Sequence, residues 1–287
     1  MDDELADIAR LLVEKRWPFR IHATYNETID RFLGVFERVD RAVPFDGLRW
    51  IIDHAETVTP RNIERIKALG GGIAIQHRMA FQGEYFVDRY GASAAQTTPP
   101  IARMLEMDVP LGAGTDATRV ASFNPWTALY WLSTGRTVGG LDLYPAGNRL
   151  DRETALRLWT KGSAWFSGED RLKGAIAPGE FADLAVLSAD YFAVAADDIK
   201  DIASVLTMVG GKIVHGADSF RDLAPPLPSA SPSWSPVNAY GGHAHAHAPS
   251  GGATHLHRCP VHGVGHRRGH AVGDLLWGPL GCGCFAF

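Results

Sequence analysis

The sequence predicts an α/β protein built on a parallel sheet, and three observations predict it. Short apolar runs alternate with helical patterns four times between residues 19 and 134, three of the runs lead into a histidine or an aspartate, and each of these residues is followed by a polar turn and a helical pattern. The three runs are Phe19-Arg20-Ile21-His22-Ala23, Trp50-Ile51-Ile52-Asp53-His54-Ala55 and Leu111-Gly112-Ala113-Gly114-Thr115-Asp116. Parallel βα architectures place their chemistry at such strand ends.

Leu5, Ile8, Leu11, Leu12 and Val13 recur at helical spacing, and Pro18 stops that first helix. A strand at 19–23 then precedes a helix at about 27–39, with Ile29, Phe32, Leu33 and Phe36 on one face. A second strand, 49–53, leads through Thr59-Pro60 into a helix near 61–69 that Gly70-Gly71-Gly72 ends. A third strand, 73–76, precedes a loop from Met79 to Gly91 and a helix near 98–107. The fourth, about 109–113, leads through Thr115-Asp116 to a helix containing Trp126, Leu129, Tyr130 and Leu132. Such alternation means parallel strands with right-handed crossovers, in a barrel portion or in an open doubly wound sheet. Periodicity alone leaves both open.

After Gly139-Gly140 the texture changes. Asp151 caps a helix start, Lys173 to Glu180 forms a turn, Ala182 to Leu187 a strand, and Val205 to His215 a hairpin around Gly210-Gly211. From Ala224 on, Pro-Pro, Pro-Ser and Gly-Gly steps predict a disordered, histidine-rich tail. The expected divisions are therefore 1–140, 141–222 and 223–287.

Composition excludes several classes of function. The 287 residues are 46% hydrophobic and 21% charged, enough apolar material for one large core or two modest ones. The net charge of −4 divides into +2 from Pro225 onward and −6 before it, with no dense basic cluster among aromatics, so nucleic acid is not an expected partner. No apolar stretch approaches the roughly 18 to 20 residues that span a bilayer. The acidic start Met1-Asp2-Asp3-Glu4 lacks the basic region of a secretory signal, which makes the cytoplasm the expected location. Cys259, Cys282 and Cys284 all lie in the tail, so no disulfide can hold the body together.

The strand-end residues fit a metal site. A divalent ion such as zinc takes imidazole and carboxylate ligands at about 2.0 to 2.2 Å, and a catalytic site keeps one position for water. Neutral His22 and His54, on adjacent strands, can offer ring nitrogens that converge above the sheet, and Asp116 closes the ring from the far strand.

The order His22, His54, Asp116, then Asn124-Pro125-Trp126, Lys173-Gly174-Ala175-Ile176-Ala177-Pro178-Gly179-Glu180-Phe181-Ala182-Asp183-Leu184 and Val209-Gly210-Gly211-Lys212, resembles the amidohydrolase superfamily. More narrowly it is similar to amidohydrolase family 3, the branch with N-substituted formamide deformylases. The similarity covers residues 5 to 220. It implies the C-terminal half of a TIM-like (β/α)8 metallohydrolase barrel, strands five to eight, plus part of a small β-sandwich. His22 and His54 match the metal-binding histidines of strands five and six, and Asp116 matches the aspartate of strand eight. The implied activity is metal-assisted hydrolysis of a non-peptide C–N bond in a small amide-type substrate, with zinc as the expected cofactor. Asp116 is then the acid/base, His54 holds the ion or polarises the carbonyl, and His22 is a ligand. His77 and Arg78, just past the third strand, are expected to line the substrate pocket, with Arg78 gripping a carboxylate.

The family's strand-one His-x-His and its strand-four bridging residue have no counterpart here. A half barrel exposes two sheet edges, which leads us to expect a homo-oligomer or a separately encoded N-terminal half as partner. The competing class is a non-catalytic barrel remnant, or a metal-binding protein acting through its tail, where eight of the twelve histidines fall between His243 and His270. Related barrels also cleave esters and phosphoesters.

Overall fold

The computed structural model describes residues 2–117 and 121–226. The expected alternation is present. Helix α1 (Asp2–Glu14) leads to β1 (Phe19–Tyr25), α2 (Asn26–Asp40), β2 (Trp50–Thr57), α3 (Pro60–Ala68) and β3 (Gly71–Gln76). Then come α4 (Met79–Tyr90), α5 (Ala92–Ala95), α6 (Ile101–Glu106), β4 (Leu111–Gly114) and α7 (Pro125–Thr134). The starts are set by chemistry written in the sequence. Thr59 Oγ1 accepts from the Asn62 N–H before Pro60, and Asn124 Oδ1 accepts from the Trp126 N–H before Pro125.

The four strands form one parallel sheet in the order β1-β2-β3-β4, so among the described residues β1 and β4 are its edges. In-register pairing assigns the faces. Phe19, Trp50 and Gly71 share one face, against α2 and α3, where Phe36 meets Phe19 and Trp50 at ring-centroid distances of 5.7 and 5.0 Å. Arg20, Ile51 and Gly72 share the other, followed by His22 and Asp53 one step toward the strand ends. That second face is covered near its base by α9 (Ser163–Phe166), which α8 (Arg152–Arg157) and a π-helical turn at Leu158–Gly162 deliver. The Phe166 ring lies 5.7 Å from the Arg20 guanidinium carbon, and Ser163 Oγ donates to the edge carbonyl of Ala113 at 2.8 Å.

Gly71 and Gly72, expected to end a helix, belong to β3 instead. A Cβ on Gly71 would stand 2.5 Å from the Trp50 indole and one on Gly72 2.6 Å from that of Trp165, so indoles press on the backbone from both faces. Only Gly70, at φ 73°, closes α3. The segment from Met79, expected as a loop, is α4, burying Met79, Ala80, Gln82, Gly83 and Phe86 and ending at Gly91 with φ 85°.

Strands β5 (Leu184–Leu187), β6 (Ser204–Val209) and β7 (Lys212–Gly216) form an antiparallel sheet whose hairpin turns on Gly210 and Gly211, both at positive φ. Where part of a β-sandwich is expected, the described residues show this single three-stranded sheet. Ile199 and Ile202 bury into the same core as Val13, Ile52, Ile73 and Leu129, so residues on both sides of position 140 share one interior. Among the described residues no helix is long and apolar enough to cross a membrane. The histidine-rich segment, the cysteines and the expectation of disorder from residue 227 on lie outside the described residues.

Candidate active site

The site begins with an irregularity between β1 and β2. Pairing is in register from Phe19 with Trp50 to Ala23 with His54, then resumes at Tyr25 with Thr57, so Thr24 alone opposes Ala55 and Glu56. The extra residue is taken up in left-handed backbone, with His54 at φ 82° and Ala55 at φ 48°, conformations that cost side-chain-bearing residues of order 1–3 kcal/mol each. In register with Ala23, His54 would lie on the face opposite His22, because strand residues alternate sides. The bulge re-aims it. His54 Nε2 ends 2.7 Å from His22 Nδ1, with ring centroids 4.5 Å apart and planes at 72°. At that separation one ring nitrogen donates and the other accepts. His54 is buried and His22 exposed, so the pair opens to solvent from the β1 side.

Asp116 also has left-handed backbone, at φ 53°, two residues past the end of β4, and is exposed. Its carboxylate acts on both the His22 imidazole and the Arg20 guanidinium, so charge from the far edge of the sheet is felt at the near edge. Burial and the neighbouring His54 hold His22 below the ordinary imidazole range, while Asp116 and Asp53 pull it partly back. Beneath the pair, Arg20 Nε donates to Asp53 Oδ2 at 3.1 Å in a second carboxylate contact on the same face. Among the described residues no group of three or more His, Cys, Asp or Glu side chains converges closely enough to enclose an ion. The structure thus brings His22 and His54 into contact and leaves Asp116 at electrostatic range.

Behind His54 lies a buried ion pair that sequence reasoning did not assign. Arg78 Nε donates to Glu56 Oε1 at 2.7 Å and a second guanidinium nitrogen donates to Oε2. Tyr25 packs against this pair, and burial pushes its phenol up to about 12. The signal was the Asp53-His54-Ala55-Glu56 string, which alternates oddly for a strand with four polar or small residues in a row.

Arg78, expected to line the substrate pocket and grip a carboxylate there, is buried and holds the carboxylate of the chain's own Glu56. His77 is buried too. Neither of its ring nitrogens has a hydrogen-bond partner among the described residues, although the Gly114 backbone is close enough to influence it, and burial pushes the imidazole down to about 4. Gln76 Oε1, at the end of β3, is likewise buried without a partner. Buried polar atoms left unpaired cost about 1–3 kcal/mol each and gather where a ligand or water completes them.

A family model described as the amidohydrolase family matches residues 1–215. Over 219 residues the chain is 25% identical to a protein named putative amidohydrolase YtcJ of Bacillus subtilis (strain 168), covering 75% of this chain and 40% of that one. A metal-dependent hydrolase of Pyrococcus horikoshii OT3 superimposes with a TM-score of 0.57 at 24% identity, over 68% of this chain and 39% of that one. Atrazine chlorohydrolase TrzN of Arthrobacter aurescens TC1, complexed with zinc, gives a TM-score of 0.53 at 18% identity, over 79% and 49%. The chain spans about two fifths to one half of the length of these relatives. The structural matches bear on the fold, which is consistent with part of a TIM-like barrel.

Proposed function

This chain belongs to the amidohydrolase family, and from that premise we propose that it is the C-terminal half of a metal-dependent hydrolase cleaving a non-peptide C–N bond, an N-substituted formamide or a related amide. The observation that carries the reading is the contact between His22 and His54 at 2.7 Å, made only because a bulge and two left-handed residues turn His54 toward it. Strain of this kind is retained where an alternative aim of the side chain would be useless.

The donor set fits a divalent ion, zinc first. Two neutral imidazoles and a carboxylate are its preferred company, and tetrahedral ligands at about 2.0–2.1 Å stand roughly 3.3 Å apart. The two ring nitrogens need separate by only about half an ångström to reach that spacing. His22 and His54 would hold the ion, with Asp116 beside them. When bound, the ion supplies Lewis acidity toward water and the substrate carbonyl.

The chain's own groups supply the rest. Asp116, exposed and unencumbered by an ion pair among those described, accepts a proton from the attacking water and returns it to the leaving nitrogen. His22, held below the ordinary imidazole range, stays neutral near pH 7 and keeps a lone pair for coordination. The test is hydrolysis of N-substituted formamides by the zinc-loaded protein. Asp116→Asn, which keeps an oxygen beside the ion where Asp116→Ala would not, should abolish turnover with zinc content unchanged at saturating zinc, and turnover surviving that change removes Asp116 as the acid/base.

A second reading, a non-catalytic barrel remnant, is favoured by the lack of a third converging ligand among the described residues. It predicts no zinc at His22 and His54.

A further inference from the structure

A cleft of about 640 Å³ opens at the ends of β1 and β2, beyond the histidine pair along both strands. Its floor is Tyr25 and Thr57, the last residues of those strands, each three positions beyond a histidine of the pair and so within about 10 Å of it along the chain. One wall is aromatic: Phe86 and Tyr90 stand one turn apart on α4 with ring centroids 4.7 Å apart. The volume is that of a small-molecule site. Thr98 Oγ1 donates to the Ala94 carbonyl and Thr57 Oγ1 accepts from the Asn26 N–H, which leaves Thr98 an acceptor and Thr57 a donor for an occupant.

Charge narrows the chemistry. Among the described residues that line the cleft, Glu27 is an exposed carboxylate at the rim and none is Lys, Arg or His. Among the described residues, Arg78 is engaged with Glu56, and Arg89 lies over the Tyr90 ring at 5.6 Å and donates to Tyr85 Oη at 3.3 Å. We infer that this cleft receives the non-reacting end of the substrate, and that this end is planar, apolar and either neutral or cationic, never a carboxylate. The inference rests on the hydrolase reading, whose centre is the histidine pair.

Calorimetric titration of the full chain with N-benzylacetamide, benzylamine and N-benzoylglycinate tests it. The neutral and cationic probes should bind saturably, at least about tenfold tighter than the anion. Ala94→Trp, which places an indole in the cleft from an exposed position, should weaken them at least about tenfold, and Glu27→Lys should bring the anion to within about threefold of the neutral probe. No saturable binding, an anion as tight as the neutral probe, or indifference to Ala94→Trp would overturn the inference; Glu27→Lys supplies the independent readout should the indole perturb the fold. Zinc titration of the same protein separates the two readings. Zinc at His22 and His54 without cleft binding removes the cleft alone, whereas cleft binding without zinc removes the hydrolase and with it the cleft's role in holding substrate.

Discussion

Arg78 grips both carboxylate oxygens of Glu56, and solvent reaches only 5% and 3% of the two side chains. Glu56 follows the left-handed His54-Ala55 step and immediately precedes Thr57, where pairing with β1 resumes, so the ion pair anchors the bulged segment directly behind the re-aimed histidine. Removing one member leaves a buried charge uncompensated, which costs about 3–5 kcal/mol. Glu56→Gln and Arg78→Met should each lower urea stability by that order. The double variant Glu56→Leu/Arg78→Met should recover a large part of it. Equal losses in single and double variants would show that the pair stabilises by packing alone.

The indoles of Trp50 and Trp165 approach Gly71 and Gly72 from opposite faces of β3. Gly72→Ala sets a methyl 2.6 Å from the Trp165 ring and 2.9 Å from the Pro110 carbonyl, and the backbone oxygen cannot retreat without disturbing β4. A loss of about 1–3 kcal/mol is expected. The exposed Gly47, at φ 71° with open space around it, offers the comparison: Gly47→Ala strains only the backbone. Equal urea midpoints for Gly72→Ala and wild type would remove the claim of close approach.

His77 makes stability depend on pH. Its folded pKa, about 4, lies below the ordinary 6.5, so the unfolded chain binds the proton first as pH falls. Its contribution is complete above pH 6.5 and is lost progressively down to 4. Between pH 7 and 5 that amounts to about 2 kcal/mol. His77→Gln, neutral throughout, should flatten the urea-midpoint profile over this window by that amount. An unchanged slope would mean that His77 finds a partner in solution.

Arg20 neutralises Asp53 below the histidine pair. Arg20→Gln removes a cation and frees a carboxylate that favours the imidazolium of His22. The His22 pKa in the metal-free protein should therefore rise, as read from its ring proton shifts across pH. A fall would show that loss of the Arg20 side chain buries the ring further.

How much of this was legible in the sequence follows from what each residue depends on. Local chemistry was readable: the Thr59-Pro60 and Asp151 caps and the Gly210-Gly211 turn all act over a few residues, whereas His22 and His54, expected at strand ends, stand inside β1 and β2, which run on to Tyr25 and Thr57. Helix α4 was not legible, because its buried face mixes Met79 and Phe86 with the small or polar Ala80, Gln82 and Gly83, and Arg78 at its start makes no capping bond. Nor was the role of Gly71 and Gly72, set by Trp50 on the neighbouring strand and Trp165 nearly a hundred residues away. The turn of His54 toward His22 depends on a slip between two strands, and no periodicity within either one records it. The pairing of Arg78 with Glu56 was not legible either, since it joins residues of two strands' ends across the sheet.

The most direct test of the account is a zinc titration of the full chain followed at the ring resonances of individual histidines. We predict that the His22 and His54 signals shift together and saturate at one equivalent, and that Asp116→Ala weakens this step while leaving the fold intact. Shifts confined to the histidines between His243 and His270, with His22 and His54 unmoved, would contradict it.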